Sequence, residues 1–362
     1  MSISTPLQVI ACDPPRFGHA EAREILRVHY GLEGEITQLV SERDQNFLLK
    51  ENGGGRWVLK ISNADEDPAV TDFQIRALQH IAAKAADVVV PIVRNTLTGT
   101  DRVLVSRGND EHTIRLVSYL RGRPLENEPL TAALARDTGR TLACLGQALS
   151  DFSHAGAAQT LLWDMKHALA LRELLPKVGD AALRDLLAGC LDDFEKRALP
   201  EFASLRSQVI HNDLNPANIL IDPDHPERVA GVIDFGDMQF SPLVVDLAVA
   251  AAYWRNDRGD PLELIAELLA AYHAVVALTM AEIDLLYDLV CTRLATTVAI
   301  LAWREGEARE GDAYLDAAAV AEGSAAPFLR RLRELPREVV SRRLRLVCAS
   351  VTESGDRAQP VL

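Results

Sequence analysis

Apolar and polar residues change their spacing near residue 121, and that change divides the chain. Before it, short β-like runs recur at Glu35–Ser41, Asn46–Glu51, Trp57–Ser62, Val103–Ser106 and Thr113–Leu120. Turn-rich pieces separate them, as expected for strands. Asn52-Gly53-Gly54-Gly55, between the second and third runs, has the composition of a hairpin turn. One segment breaks the pattern: from Pro68 to Lys84 the apolar positions Val70, Phe73, Ala77, Leu78 and Ile81 fall at helical spacing. After residue 121 helical spacing dominates. It is carried by Leu134, Thr138, Leu142, Leu145 and Leu149, then Leu264, Leu268, Tyr272 and Val275, then Leu285, Leu289, Thr292 and Thr296. A single β-like island, Val209–Asp234, interrupts these helices.

The expected class is α+β. A small β-rich lobe over residues 1–120 carries one long helix, and a larger, mainly helical lobe follows over 121–351. Leu120–Pro129, rich in Arg, Gly and Pro, reads as the boundary, and residues 352–362 read as a flexible tail. The junction of two such lobes is a natural place for a ligand cleft.

Composition narrows the function classes. Of 362 residues, 38 are Lys or Arg and 52 are Asp or Glu, a net charge of −14. That balance argues against a nucleic-acid binder, which needs basic surface against phosphate, and suits a cationic small substrate. The longest uncharged apolar stretches, such as Leu247–Trp254 and Leu294–Trp303, fall short of the ~18–20 residues of a spanning helix, so no membrane partner is expected. The N-terminus lacks a basic region followed by an apolar core, so no signal peptide is expected. Cys12, Cys144, Cys190, Cys291 and Cys348 form no CxxC pair and read as free thiols in a reducing compartment, which points to the cytoplasm.

Chemistry concentrates in the island. His211-Asn212-Asp213-Leu214-Asn215-Pro216-Ala217-Asn218 reads as a polar loop entering a strand, Asn218–Asp222. A turn follows, then a second apolar strand, Val229–Asp234, leading into Phe235-Gly236-Asp237. A hairpin folded at that turn sets the start of the first strand beside the end of the second. Asp213, Asn218 and Asp234 then meet at one end. Two carboxylates and an amide oxygen are hard donors suited to Mg²⁺ with phosphate completing its shell.

His-x-Asp-x4-Asn followed by Ile-Asp-Phe-Gly resembles the phosphotransferase core of the aminoglycoside phosphotransferase/choline kinase superfamily. The resemblance implies a protein-kinase-like two-lobe fold with ATP or GTP as co-substrate. It gives Asp213 the catalytic role of orienting the substrate hydroxyl, and Asn218 and Asp234 the metal ions that bridge the phosphates. His211 would brace the loop, with direct proton transfer as the alternative. Asp246 would support the loop from a helix start. Asp237 would face a cationic substrate or cap a helix.

In the first lobe, Lys60 in Arg56-Trp57-Val58-Leu59-Lys60-Ile61 resembles the lysine that contacts the α/β-phosphates. The fold normally pairs it with a helix glutamate, and the aligned residue here is Gln74. Either Gln74 suffices, or Asp72 or another acid substitutes. No GxGxxG precedes Lys60; the turn there is Ser41-Glu42-Arg43-Asp44-Gln45-Asn46, whose amides and side chains would cap phosphates instead. Ser118, Tyr119 and Leu120 are candidates for backbone contacts to the base, or simply form an interlobe strand.

Substrate residues are sought in the helical lobe. Trp163 and Asp164 would line an ammonium pocket or mark a helix start with a buried Trp. Trp254 and Arg293 lie on helices expected to face the cleft, where an arginine would clamp a carboxylate or simply sit at the surface. Leu59-Lys60-Ile61-Ser62-Asn63, Asp72-Phe73-Gln74, Leu162-Trp163-Asp164 and His211-Asn212-Asp213-Leu214-Asn215 together resemble the hydroxylysine kinase-like branch. That implies a hydroxylated amine as substrate, such as 5-hydroxylysine; homoserine, choline- or ethanolamine-type alcohols and aminoglycosides stay open. Two other classes compete: a nucleotide-binding pseudokinase, favoured by Gln74, and a metal-dependent hydrolase, which would need a denser set of His and Asp ligands.

Overall fold

The computed structural model describes residues 14–41, 43–84, 87–307 and 323–356. Helix α1 (His19–Ile25) opens the small lobe and leads into an antiparallel sheet. Its main strands are β1 (Gly34–Leu39), β2 (Gln45–Glu51) and β3 (Arg56–Ile61), followed by β4 (Val93–Arg94), β5 (Val103–Arg107) and β6 (Asp110–Ser118). The spatial order is β1-β2-β3-β6-β4, with β5 also pairing β6. The β2–β3 turn places Gly54 at φ +93°, a conformation that glycine adopts without a Cβ penalty. Helix α2 (Pro68–Lys84) crosses from β3 to β4. It starts where Asp67 accepts the Ala69 amide at 2.9 Å and Pro68 sets the first turn.

Strand pleating decides which side chains reach the cleft. Leu59, Ile61, Ile114 and Leu116 pack with Phe47 and Leu26 in a core between the sheet and α1. Their alternates Lys60 and Arg115, directly paired across β3 and β6, therefore face the other way, toward α2 and the large lobe.

The large lobe begins with β7 (Arg123–Pro124), so the Arg-, Gly- and Pro-rich boundary segment itself supplies a strand. Helices α3 (Ala132–Leu149) and α4 (Ala181–Asp193) precede β8 (Ser207–Ile210), β9 (Ile219–Ile221), β10 (Val229–Val232) and β11 (Gln239–Pro242). Then come α5 (Leu243–Ala251), α6 (Glu263–Val275), α7 (Met280–Glu307), α8 (Ala325–Arg333) and α9 (Arg337–Asp356). The predicted α3 stripe of Leu134, Thr138, Leu142, Leu145 and Leu149 is buried throughout. Residues 357–362, the end of the expected tail, lie outside the described residues, as does Cys12.

Helix α2 is tied to the large lobe. Phe73 stacks on Phe152 and His154, with ring centroids 5.9 and 5.6 Å away. Asp72 accepts His154 Nε2 at 2.9 Å. A Cβ on Gly156 would lie 2.5 Å from the Ala69 carbonyl oxygen, so only glycine permits this approach.

The expectation that no segment is apolar enough to span a membrane needs correction. Met280–Arg304 passes by length and composition, but 89% of its most apolar window is buried inside the protein, as for a core helix. Its charges are answered internally: Asp288 accepts Arg337 Nε at 2.9 Å, and Arg293 turns into the site described below. Cys144, Cys190, Cys291 and Cys348 form no disulfide among the described residues; burial pushes the Cys190 and Cys348 thiols up to about 12, so neither ionises at neutral pH.

Candidate active site

Two strand pairs build the site. The first is the predicted hairpin: β9 pairs β10 with Ile219 opposite Val232, and the Ile233 amide donates to the Asn218 carbonyl at 2.9 Å. Asn218 thereby lies beside the end of β10, one residue from Asp234. In the second pair, β8 runs against β11 with Ile210 opposite Gln239. This lays the loop starting at His211 alongside Asp237. The sequence reading did not find this pair, because strands of four residues ending in Gln-Phe-Ser-Pro carry almost no periodic signal.

Asp213 sits at the meeting point of the two pairs. Asn215 Nδ2 donates to both its carboxylate oxygens, at 3.0 and 3.1 Å, and Asn218 Nδ2 donates to Oδ2 at 2.8 Å. Arg293 Nη2 approaches Oδ1 at 3.4 Å. Burial raises Asp213 well above the ordinary carboxylate range, Asp237 adds to the rise, and Arg293 and Asn215 oppose it. The result is a fixed carboxylate of raised basicity, suited to receiving a hydrogen bond from a hydroxyl.

The loop itself is held from below. Asp246, buried in the first turn of α5, accepts the His211 amide at 3.1 Å and the Asn212 amide at 2.7 Å. Burial pushes its carboxyl up to about 6 against the pull of those two amides. His211 is fully buried, with its ring edge-on to Phe235. Its Nε2 donates to the Ile233 carbonyl at 3.2 Å and its Nδ1 accepts the Asp213 amide at 3.3 Å, which sets the Nε2–H tautomer. Burial lowers its pKa to about 4, so the ring is neutral and spent on bracing. Asn212 and Asp234 both have positive φ, +64° and +59°, conformations retained where surrounding structure enforces them.

Asp234 is 52% exposed at the mouth of the cleft, and Lys60 reaches to 3.8 Å from its Oδ1. Lys60 holds the Asp234 carboxyl below its usual range. The aligned partner of Lys60 is therefore corrected. Gln74 does not meet Lys60; its Oε1 accepts Arg115, whose other nitrogen donates to Ser62 Oγ at 3.0 Å. Asp72 is equally committed, to Arg102 and His154. Two cations stand side by side on β3 and β6, and the helix amide serves the buried one.

Other expectations are redirected. The Ser118 and Tyr119 amides donate to the Ile92 and Arg56 carbonyls, so a contact to a base from these two residues would have to come from their backbone carbonyls, and the Leu120 side chain packs near Gly231. Asp164 is buried as the cap of the turn at Met165, accepting the Lys166 amide at 2.9 Å. Trp254 is buried in the core. Trp163 does reach the site: Arg293 lies over its ring at 4.5 Å and donates to Tyr253 Oη at 3.1 Å. Arg293 is only 2% exposed, so it props Asp213 from behind and does not project into the cleft.

The donors also fit a nucleotide-borne metal ion. With its Nδ2 committed to Asp213, Asn218 can offer only its amide oxygen, and Asp234 offers an exposed carboxylate. Among the described residues no group of three His, Cys, Asp or Glu forms a metal cage. Two hard oxygens suit Mg²⁺ arriving with phosphates, and do not suit a resident transition metal.

The model of the phosphotransferase enzyme family matches residues 35–286, the span that carries Lys60, the Asp213 loop, Asn218, Asp234 and Asp246. The chain belongs to the phosphotransferase enzyme family. It is 24% identical to a hydroxylysine kinase of Danio rerio over 340 residues, covering 91% of this chain and 95% of that protein. It is 26% identical to a hydroxylysine kinase of Bos taurus over 337 residues, covering 87% and 90%. Among solved structures, a microcompartment-associated aminopropanol kinase matches with a TM-score of 0.67 at 22% identity, over 86% of this chain and 95% of that one. Spectinomycin phosphotransferase, solved with ADP and spectinomycin, matches at 0.60 with 12% identity, over 89% and 100%. These establish the protein-kinase-like fold of this family, and the chain is a small-molecule phosphotransferase.

Proposed function

We propose that this phosphotransferase moves the γ-phosphate of ATP or GTP to the hydroxyl of an amine-bearing metabolite, 5-hydroxylysine or a similar hydroxy amino acid. The observation that carries the reading is the Asp213 carboxylate, gripped by Asn215, Asn218 and Arg293 where the cleft meets Lys60 and Asp234. Two near-full-length hydroxylysine kinase relatives support the acceptor class. Acidic residues around Asp213 favour an acceptor that carries positive charge.

Asp213 accepts the hydrogen bond of the acceptor hydroxyl and aims its oxygen at the terminal phosphorus. Lys60 lies on the nucleotide side of the cleft and neutralises phosphate charge. Asn218 and Asp234 would hold the Mg²⁺ that accompanies the nucleotide, which when bound offsets the charge of the phosphates. His211 and Asp246 keep the Asp213 loop in place and take no part in proton transfer.

The test is nucleoside-diphosphate release with Mg-ATP and, separately, Mg-GTP over hydroxylysine, homoserine, choline, ethanolamine and an aminoglycoside. Release dependent on hydroxylysine is the expected result. Release dependent on the aminoglycoside alone would move the acceptor class, and silence with nucleotide bound would point to a pseudokinase.

A further inference from the structure

Lys60 and Arg115 stand directly opposite each other on β3 and β6. Like charges set opposite across two strands cost stability, so such a pair needs an anion to answer it. Lys60 has Asp234 at 3.8 Å. Arg115, only 2% exposed, is met by neutral groups: Nη1 donates to Ser62 Oγ at 3.0 Å and Nη2 to Gln74 Oε1. Ser62 Oγ lies 3.1 Å from Thr71 Oγ1, and Thr71 donates to Glu66 Oε2 at 2.6 Å. Both hydroxyls thus hand their protons away from the guanidinium, and Glu66 stands two side chains removed from it. The one carboxylate oxygen paired with Arg115 among the described residues, Asp44 Oδ2, is 3.9 Å away, beyond a hydrogen bond. Asp44 belongs to the β1–β2 loop, whose Arg43 donates to Asp237 Oδ1 at 2.5 Å across the cleft.

Gln74 decides how much of this charge survives. An amide oxygen satisfies a guanidinium N–H without cancelling its charge, whereas a carboxylate there would form a buried ion pair. We propose that Arg115 is a second phosphate-binding charge, held beneath Lys60 and out of contact with the nucleotide, and that glutamine at position 74 serves to keep it uncancelled. The incoming phosphates are then the anion that the Lys60–Arg115 pair needs. This rests on the nucleotide-dependent reading above. It also explains why a helix glutamine is no defect in this chain: Lys60 does not use it, and a glutamate would remove charge from the nucleotide site.

Binding is measured on the full chain by calorimetry, with a non-hydrolysable nucleoside triphosphate and the diphosphate, each with Mg²⁺, and with the bare nucleoside. The adenine or guanine series is used, whichever wild type binds more tightly. Gln74→Glu should weaken the triphosphate about ten-fold and the diphosphate about three-fold, and leave the nucleoside unchanged. Arg115→Met should give the same graded loss, and retained nucleoside binding shows that each variant is folded. Triphosphate affinity unchanged or raised in Gln74→Glu overturns the proposal, because position 74 would then be an ordinary partner site for Lys60. A loss of equal size for nucleoside and triphosphate overturns it as well, since it would mark the network as packing alone. A wild-type chain that binds neither series overturns the nucleotide-dependent reading, and this proposal with it.

Discussion

Asp246 carries a cost that its position explains, and that cost can be measured. Its carboxylate is buried under α5 to receive two backbone amides, those of His211 and Asn212, at 3.1 and 2.7 Å. Even with both bonds its pKa rises from an ordinary 3.8 to about 6, which is about 3 kcal/mol of preference for the protonated form. Folded Asp246 keeps its proton to about pH 6, whereas the unfolded chain releases it near 3.8. Between those values the folded state binds more protons, so this group's contribution to stability falls as pH rises and is fully lost above about pH 6. Asp246→Asn removes the titration. His211 titrates in the opposite sense over a similar window, but both proteins carry it, so it cancels in the comparison. Urea unfolding of the two proteins at about pH 4 and about pH 7 should therefore show the variant gaining about 2 kcal/mol on wild type across that range. Activity should move the other way. An amide offers one acceptor where two donors converge, so the His211–Asp213 loop loosens and kcat at neutral pH falls by about 10²-fold. A stability difference that does not change with pH would refute the reasoning, because it would mean that folding does not perturb Asp246.

Three further outcomes follow from the geometry. Gly156→Ala forces a Cβ to 2.5 Å from the Ala69 carbonyl oxygen and 2.8 Å from Phe73 Cβ, so α2 must shift; thermal unfolding should show a loss of about 1–3 kcal/mol, and an unchanged Tm would contradict the close approach. Arg115→Met strips the buried Gln74 and Ser62 of their donor and leaves Asp44 without the guanidinium 3.9 Å away, at a cost of about 2–4 kcal/mol in urea unfolding; a cost near zero would show that the network is ornamental. Asp234→Ala should weaken Mg-nucleotide binding by about ten-fold or more, read by calorimetry, and wild-type affinity would remove Asp234 from the metal assignment.

Much of the fold was legible because its signals are local. The alternation of buried positions in β2 and the spacing of Phe73, Ala77 and Ile81 follow directly from strand and helix geometry. Asp213, Asn218 and Asp234 were also legible, since one hairpin brings them together. What escaped depends on pairing at a distance. The sequence places Gln74 at the lysine's partner position, but the β3–β6 register sets Arg115 beside Lys60, and the amide serves the cation buried nearest to it. Asp164 carries the residue preference of a helix cap, and in the fold it is one. Helix α7 escaped a reading based on uncharged stretches because Asp288 and Arg293 interrupt it; both charges are satisfied only by tertiary partners. The Arg43–Asp237 contact depends on how closely the lobes approach, which no local pattern encodes.

The central claim is that Asp213 directs nucleotide-dependent phosphorylation of a hydroxylated amine. Its most direct test is transfer of labelled γ-phosphate to 5-hydroxylysine by the wild-type chain and by Asp213→Asn, with nucleotide binding measured on both. The account predicts labelled product from wild type, a loss of about 10²-fold or more in the variant, and nucleotide binding preserved in each. Wild-type turnover by Asp213→Asn would contradict it.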